Sequence, residues 1–145
     1  MLANVGAVFA FLALMWLNDL IGRRLSYFLV VLGCIGTSLF AFTQIRTIEA
    51  LLWFAPLYGF FAIGGFGVFA AYLPELFPTR IRATGQGFCW NMGRALTAIG
   101  PLMAGSLVAT LGSVPMAGIA VTTIYLVGLV AIWFGPETKG LPLQD

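Results

Sequence analysis

The chain has 145 residues, of which 61% are hydrophobic and 8% charged, with a mean hydropathy of +1.01. Its seven basic and five acidic side chains fall far short of the roughly 25% charged content of a soluble domain, so a water-soluble globule is excluded. A membrane span takes about 20 apolar residues, so this length accommodates about five or six helices with no soluble catalytic domain beside them.

The first apolar run covers residues 1–17 and gives way to Asn18, Asp19 and Gly22-Arg23-Arg24. No basic residue precedes it, so it reads as a span and not as a cleaved signal segment. The second run, residues 25–44, ends before Arg46 and Glu49. The third, residues 50–73, stops at Pro74-Glu75. The fourth, residues 83–111, starts after Pro78-Thr79-Arg80-Ile81-Arg82. The fifth, residues 115–134, is broken by Gly135-Pro136 and leaves a tail of residues 135–145. The expected fold is all-α, a polytopic membrane bundle of five transmembrane helices. Within it, Gly64-Gly65 and Gly100-Pro101 mark points where a helix is locally weakened.

Arg23, Arg24, Arg80, Arg82 and Lys139 all fall on one side of this arrangement, and only Arg46, beside Glu49, falls on the other. The positive-inside rule then puts the amino terminus outside and the carboxyl terminus in the cytoplasm, with the plasma membrane (the inner membrane in a bacterium) as the location. A net charge of +2 without a basic tail points away from nucleic acid. There is no histidine, and Cys34 and Cys89 stand singly in apolar runs. No metal-ligand spacing, carboxylate pair or Gly-x-Ser-x-Gly is present, so neither an enzyme, a metal nor a cofactor is expected.

Three charged segments share one side. The first reads Leu17-Asn18-Asp19-Leu20-Ile21-Gly22-Arg23-Arg24. The second reads Pro74-Glu75-Leu76-Phe77-Pro78-Thr79-Arg80-Ile81-Arg82, and the third Pro136-Glu137-Thr138-Lys139-Gly140. Asp19, Glu75 and Glu137 face five basic side chains in one interfacial layer. Single exposed ion pairs are worth only about 0–1 kcal/mol, so such a layer acts as a network or not at all. In their order and sidedness these segments resemble the major facilitator superfamily, twelve-helix secondary transporters built as two six-helix halves. The first is similar to the family's Gly-x-Leu-x-Asp-Arg-x-Gly-Arg-Arg loop, with Met15 in place of the glycine and Leu20 in place of the first arginine. The second and third are similar to the Pro-Glu-x-Phe-Pro-Thr-x-x-Arg and Pro-Glu-Thr-Lys-Gly elements of sugar porters and related metabolite symporters. The resemblance implies that the five spans correspond to helices eight to twelve, with an amino-terminal half as partner. It further implies that Asp19, Gly22, Arg23, Arg24, Glu75, Arg80, Arg82 and Glu137 belong to a cytoplasmic gate. The proline-and-tryptophan pattern of sugar porters is replaced here by Gly64-Gly65-Phe66-Gly67-Val68-Phe69, which argues against a hexose.

One charge does not fall in these segments. Arg94 lies about ten residues into the fourth span, about 15 Å deep, close to the bilayer midplane. An ionised side chain there marks a solute or ion pathway by default. On a helical wheel it shares a stripe with Gln86, Trp90, Thr97 and Pro101, with Asn91 one turn away. No carboxylate of this chain lies at that depth, so its partner is another helix, a backbone carbonyl or an anionic solute. The resemblance implies that this position and Tyr58 of the third span line the cavity between the halves, where transporters bind solute. Arg94, Trp90, Asn91 and Tyr58 are therefore the candidate contacts for a small carboxylate or sugar acid. The expected function is proton-coupled transport by alternating access. The alternative is a small assembly or regulatory subunit, against which the polar Arg94 stripe argues if the chain works alone.

Overall fold

A computed structural model describes residues 1–140, apart from the side chain of Leu102, and the last part of the tail, residues 141–145, lies outside the described residues. Among the described residues, eight helices make five membrane-length spans. These are α1 (Leu2–Ile21), α2 (Arg23–Gln44), α3 (Ile48–Ala62) with α4 (Gly65–Glu75), α5 (Arg82–Thr97) with α6 (Ile99–Leu111), and α7 (Val114–Thr122) with α8 (Ile124–Phe134). Helix α1 runs through Asn18 and Asp19, so only Gly22 separates it from α2.

Local chemistry sets the helix ends and breaks. The Thr47 hydroxyl accepts from the Ala50 amide at 3.3 Å and starts α3, with Glu49 in the first turn, where the helix dipole favours an anion. Ser113 does the same for α7, accepting from the Met116 amide. The third span breaks at Ile63 and Gly64, where the amides of both residues bond the Gly59 carbonyl and the next bonds tighten to a three-residue spacing. A Cβ on Gly64 would run into the Cβ of Ala10 and its own Phe60 carbonyl, so glycine admits α1 at the break. The fourth span breaks at Ala98, three residues before Pro101, which has no amide to give the Thr97 carbonyl. The fifth breaks at Thr123. There the Thr122 and Thr123 hydroxyls donate back to the Gly118 and Ala120 carbonyls at 2.8 and 2.6 Å, a pattern that bends helices.

In lipid, close packing takes the place of the hydrophobic effect in joining helices, and small residues permit it. Helix α1 lies against α3 at two such points, where a Cβ on Gly6 would overlap the Pro56 carbonyl and one on Gly59 the Ala3 carbonyl. Ala10, Leu14, Val30, Cys34 and Val68 form the buried centre, with Tyr27, Phe60, Phe61 and Tyr125 packed around it. Met15, at the position where the resembled family has glycine, points away from this centre and is exposed. Helix α2 runs through the middle of the bundle against α3, α4, α7 and α8. The fourth span stands at the edge. Its first half rests on α4, its second half on α7, and none of its described residues is buried.

Candidate functional site

At the end of the bundle that holds Gly22, Glu75 and the start of the tail, the charged segments close into one network. Gly22 adopts φ 94°, a left-handed conformation open to glycine, and ends α1 while beginning α2. A Cβ there would lie 2.9 Å from a Glu137 carboxylate oxygen, so the bare glycine also admits that side chain. Glu137 then accepts from the amides of Arg23 at 2.9 Å and Arg24 at 3.2 Å, the open N-terminus of α2. It also accepts from the Thr138 and Lys139 amides, both at 3.1 Å. Partial burial works to raise the Glu137 carboxyl, but these four amides outweigh it and hold the group below the usual carboxylate range.

Arg23 ties this cap to the third span. Its Nε and Nη2 fork onto Glu75, with the closest contact at 2.7 Å, while Nη1 donates to Asp19 and to the Asn18 carbonyl, each at 2.8 Å. The Arg23 side chain is 13% exposed and that of Glu75 19%, so this pair is largely withdrawn from water, unlike Asp19 at 75%. The Thr138 hydroxyl donates to the same Glu75 carboxylate. Arg24 donates to the Trp133 carbonyl at 2.6 Å, with its guanidinium carbon 5.2 Å from the centroid of that indole. Lys139 reaches the Leu20 carbonyl at 2.6 Å and the Tyr72 hydroxyl donates to the Pro136 carbonyl at 2.7 Å. Arg82 donates to the Pro74 and Phe77 carbonyls, bracing the turn that ends α4. Arg80 is exposed and stands off this network. The sequence motifs thus bring Asp19, Gly22, Arg23, Arg24, Glu75 and Glu137 together. Thr138, Tyr72 and Trp133 join them without having been singled out, although Thr138 lies inside one of the motifs.

The second feature is an open cleft of about 590 Å³ between α4 and α5. Phe66, Phe69 and Leu73 form one wall, and Trp90, Gly93 and Arg94 stand on the other. This volume lies in the usual range for small-molecule sites. The Trp90 and Phe66 rings are 5.6 Å apart and 30° from parallel. The Arg94 guanidinium makes no ion pair or hydrogen bond among the described residues, in contrast with Arg23. Thr97, on the same wall, donates its hydroxyl proton to the Arg94 carbonyl at 2.9 Å.

Asn91 does not line this cleft; it is exposed, and its amide donates to the Gly87 carbonyl at 2.8 Å. Tyr58 lines a separate cavity of about 290 Å³ with Ser38, Thr122 and Tyr125. The structure therefore unites Arg94 with Trp90 and places Asn91 and Tyr58 elsewhere. The break at Gly64 separates Tyr58 from the cleft-lining half of its span. Among the described residues, no group of histidine, cysteine and acidic side chains could hold a metal ion.

The family described as sugar (and other) transporter matches residues 1–145, the whole chain. The chain belongs to that transporter family, within the major facilitator superfamily. A Haemophilus influenzae protein named for metabolite transport is 34% identical over 129 residues, covering 88% of this chain and 31% of that protein. A Bacillus subtilis protein named for niacin and nicotinamide transport is 34% identical over 131 residues, or 89% of this chain and 32% of the relative. The cis,cis-muconate transport protein of Acinetobacter baylyi is 32% identical over 133 residues, or 90% of this chain and 31% of the relative. The chain thus spans about a third of the length of these relatives. Membership makes it a multi-pass membrane protein of a transport family, not an enzyme, and agrees with the five apolar spans.

Proposed function

We propose that this chain supplies helices eight to twelve of a secondary transporter that moves a small organic carboxylate by alternating access, coupled to protons. The observation that carries the reading is Arg94, a cation within a membrane span that lines an aromatic cleft and has no protein counter-charge among the described residues. A charge in that setting is costly unless something anionic meets it, and the carboxylate of a solute does so. One relative is named for transport of cis,cis-muconate, a dicarboxylate, and another for niacin and nicotinamide, of which niacin is a carboxylate. Arg94 and Trp90 are the proposed solute contacts.

The remaining helices of the transporter, an amino-terminal half and helix seven, form the other wall of the cavity and cover the fourth span, while the outer faces of the bundle meet lipid. The excess of basic residues at the charged end supports a cytoplasmic position for the network, with the amino terminus and the α2–α3 turn outside. There the network built on Arg23, Glu75 and Glu137 serves as a gate element, holding the ends of three spans together in one state of the cycle and releasing them in another. Asp19, Glu49, Glu75 and Glu137 all stand at helix ends or in the tail, so the carboxylate that carries the proton belongs to the other helices.

Replacement of Arg94 by leucine in the intact transporter tests the reading. Uptake of an anionic solute is expected to fall at least tenfold, with protein level and thermal stability little changed. Uptake with unaltered affinity would overturn it.

A further inference from the structure

We infer that Asn18 and Ser26 hold an internal water behind the charged network, at the corner where α1 turns into α2. This site fills one end of the bundle and does not depend on which solute is carried.

Gly22 is the one residue between the two helices, so positions equally far from it stand at the same height on neighbouring spans. Ala10 and Cys34 are twelve residues from it, Leu14 and Val30 are eight, and all four belong to one buried cluster. Asn18 and Ser26 are four residues from it and continue the same two rows, one turn beyond Leu14 and one turn before Val30. The register therefore sets the Asn18 carboxamide opposite the Ser26 hydroxyl. Tyr72 follows Val68 of that cluster by one turn on α4 and stands at this level on the third side.

Asn18 is 1% exposed and Ser26 0%, and neither Nδ2 nor Oδ1 of Asn18 nor Oγ of Ser26 has a hydrogen-bond partner among the described residues. The hydroxyls of Thr37, Thr43, Ser106 and Thr122 donate back to their own helices, and that of Ser26 does not. This chain already shields the three atoms on every side, so helices of the other half cannot reach them while this end stays closed. Polar atoms buried in this way are costly without a partner. Internal waters sit where about three such atoms converge.

The mixture of donor and acceptor selects water over a cation. The carboxamide presents N–H and C=O together, whichever way it is turned, and a water both donates and accepts. A cation would meet the two oxygens but also the Nδ2 hydrogens. The nearby carboxylates are already engaged, Glu75 by Arg23 and Thr138 and Glu137 by the four amides. The Asn18 main-chain carbonyl meanwhile accepts from Arg23 Nη1 at 2.8 Å, so one residue joins the ionic layer to the hydrated layer beneath it.

X-ray radiolysis of the intact transporter in nanodiscs, read by mass spectrometry, tests this, because hydroxyl radicals form from a bound water where it sits. Leu14 and Val30 flank the site, and Val31, also buried, faces away from it. Leu14 and Val30 are expected to be oxidised about five times more than Val31. After rapid mixing with oxygen-18 water, they should take up the heavy isotope more slowly than Ile81 on the exposed α4–α5 turn. Ser26→Ala, which removes only the hydroxyl, and Asn18→Leu should each bring the labelling of Val30 down to that of Val31.

If Leu14 and Val30 are labelled no more than Val31, or exchange as fast as Ile81, no water is held there and the inference is overturned. Labelling that survives both substitutions would place the water on other groups and overturn it as well. A melting temperature raised by sodium chloride over choline chloride in the unaltered protein, and not in Asn18→Leu, would put a cation there instead. The unaltered protein decides the first two outcomes even if Asn18→Leu fails to fold.

Discussion

Arg23 and Glu75, separated by 52 positions in the chain, meet through a forked contact whose shortest arm is 2.7 Å. Both side chains are mostly shielded from water, so neither charge is readily compensated by solvent if the other is removed. Glu75→Gln is expected to destabilise the bundle by about 1.5–3 kcal/mol, the range for a hydrogen bond to a charged group. Arg23→Lys should recover little, because an ammonium carries the charge but not the fork that engages Glu75 and Asp19 together. Thermal unfolding of the two variants in lipid nanodiscs, with Asp19→Asn as an exposed control of small effect, checks this.

The second expectation concerns acid. Glu137 has its carboxyl held below the usual range, so the folded state favours the ionised form more than the unfolded chain does. Stability from this source is complete at pH values above the ordinary carboxylate pKa, and is lost as pH falls through the lowered value in the folded protein. A pH series of melting temperatures should show an acid-side decline that is reduced in Glu137→Gln. An identical decline in both proteins would show that the amides around Glu137 do not hold it in the anionic form.

The glycines divide into two groups with opposite expectations. A Cβ on Gly59 overlaps the Ala3 carbonyl, so Gly59→Ala should push α1 away from α3 at a cost of about 1–3 kcal/mol. Gly36, also helical, meets nothing within 4 Å, and Gly36→Ala should be neutral or stabilising by up to about 1 kcal/mol. Melting temperatures of the pair distinguish packing glycines from those that only loosen the backbone.

A fourth expectation separates the two cavities. Tyr58→Phe removes a hydroxyl from the smaller cavity and leaves the Arg94 cleft intact. Uptake of an anionic solute by the intact transporter should therefore be unchanged, within about twofold, in Tyr58→Phe and fall at least tenfold in Arg94→Leu. Equal loss in both would mean that the two cavities act as one site.

The spans were legible because length and apolarity alone report a bilayer, and charge marks their ends. Most of the charged network was legible as well, because Asp19, Arg23, Glu75 and Glu137 sit in motifs that name their own neighbourhood. What the pattern hid were contacts that depend on how helices meet. Tyr72 lies within an apolar run and outside every motif, yet its hydroxyl bonds the Pro136 carbonyl at 2.7 Å, 64 positions away. Tyr58 was expected beside Arg94 in one cavity; the break at Gly64 shifts the phase between Tyr58 and the cleft-lining Phe66. Gly64-Gly65 announced its break. The break at Thr123 had a quieter signal, two adjacent threonines that bond back to their own helix. Arg94 was conspicuous from depth alone, whereas its pairing with Trp90 and Phe66 needed the fold.

The fourth span is supported like a beam on two separate posts. Its first half rests on α4, which the Arg23–Glu75 contact ties to the α1–α2 corner, and its second half rests on α7. Ala98 is the joint between them, and Arg94 stands one turn before it. Arg94 belongs to the half carried by α4, so sliding of the third span relative to the fifth would strain that joint and carry the guanidinium with the third span. The charged end of the bundle and the cation in the cleft thereby share one support, α4, along an unburied span.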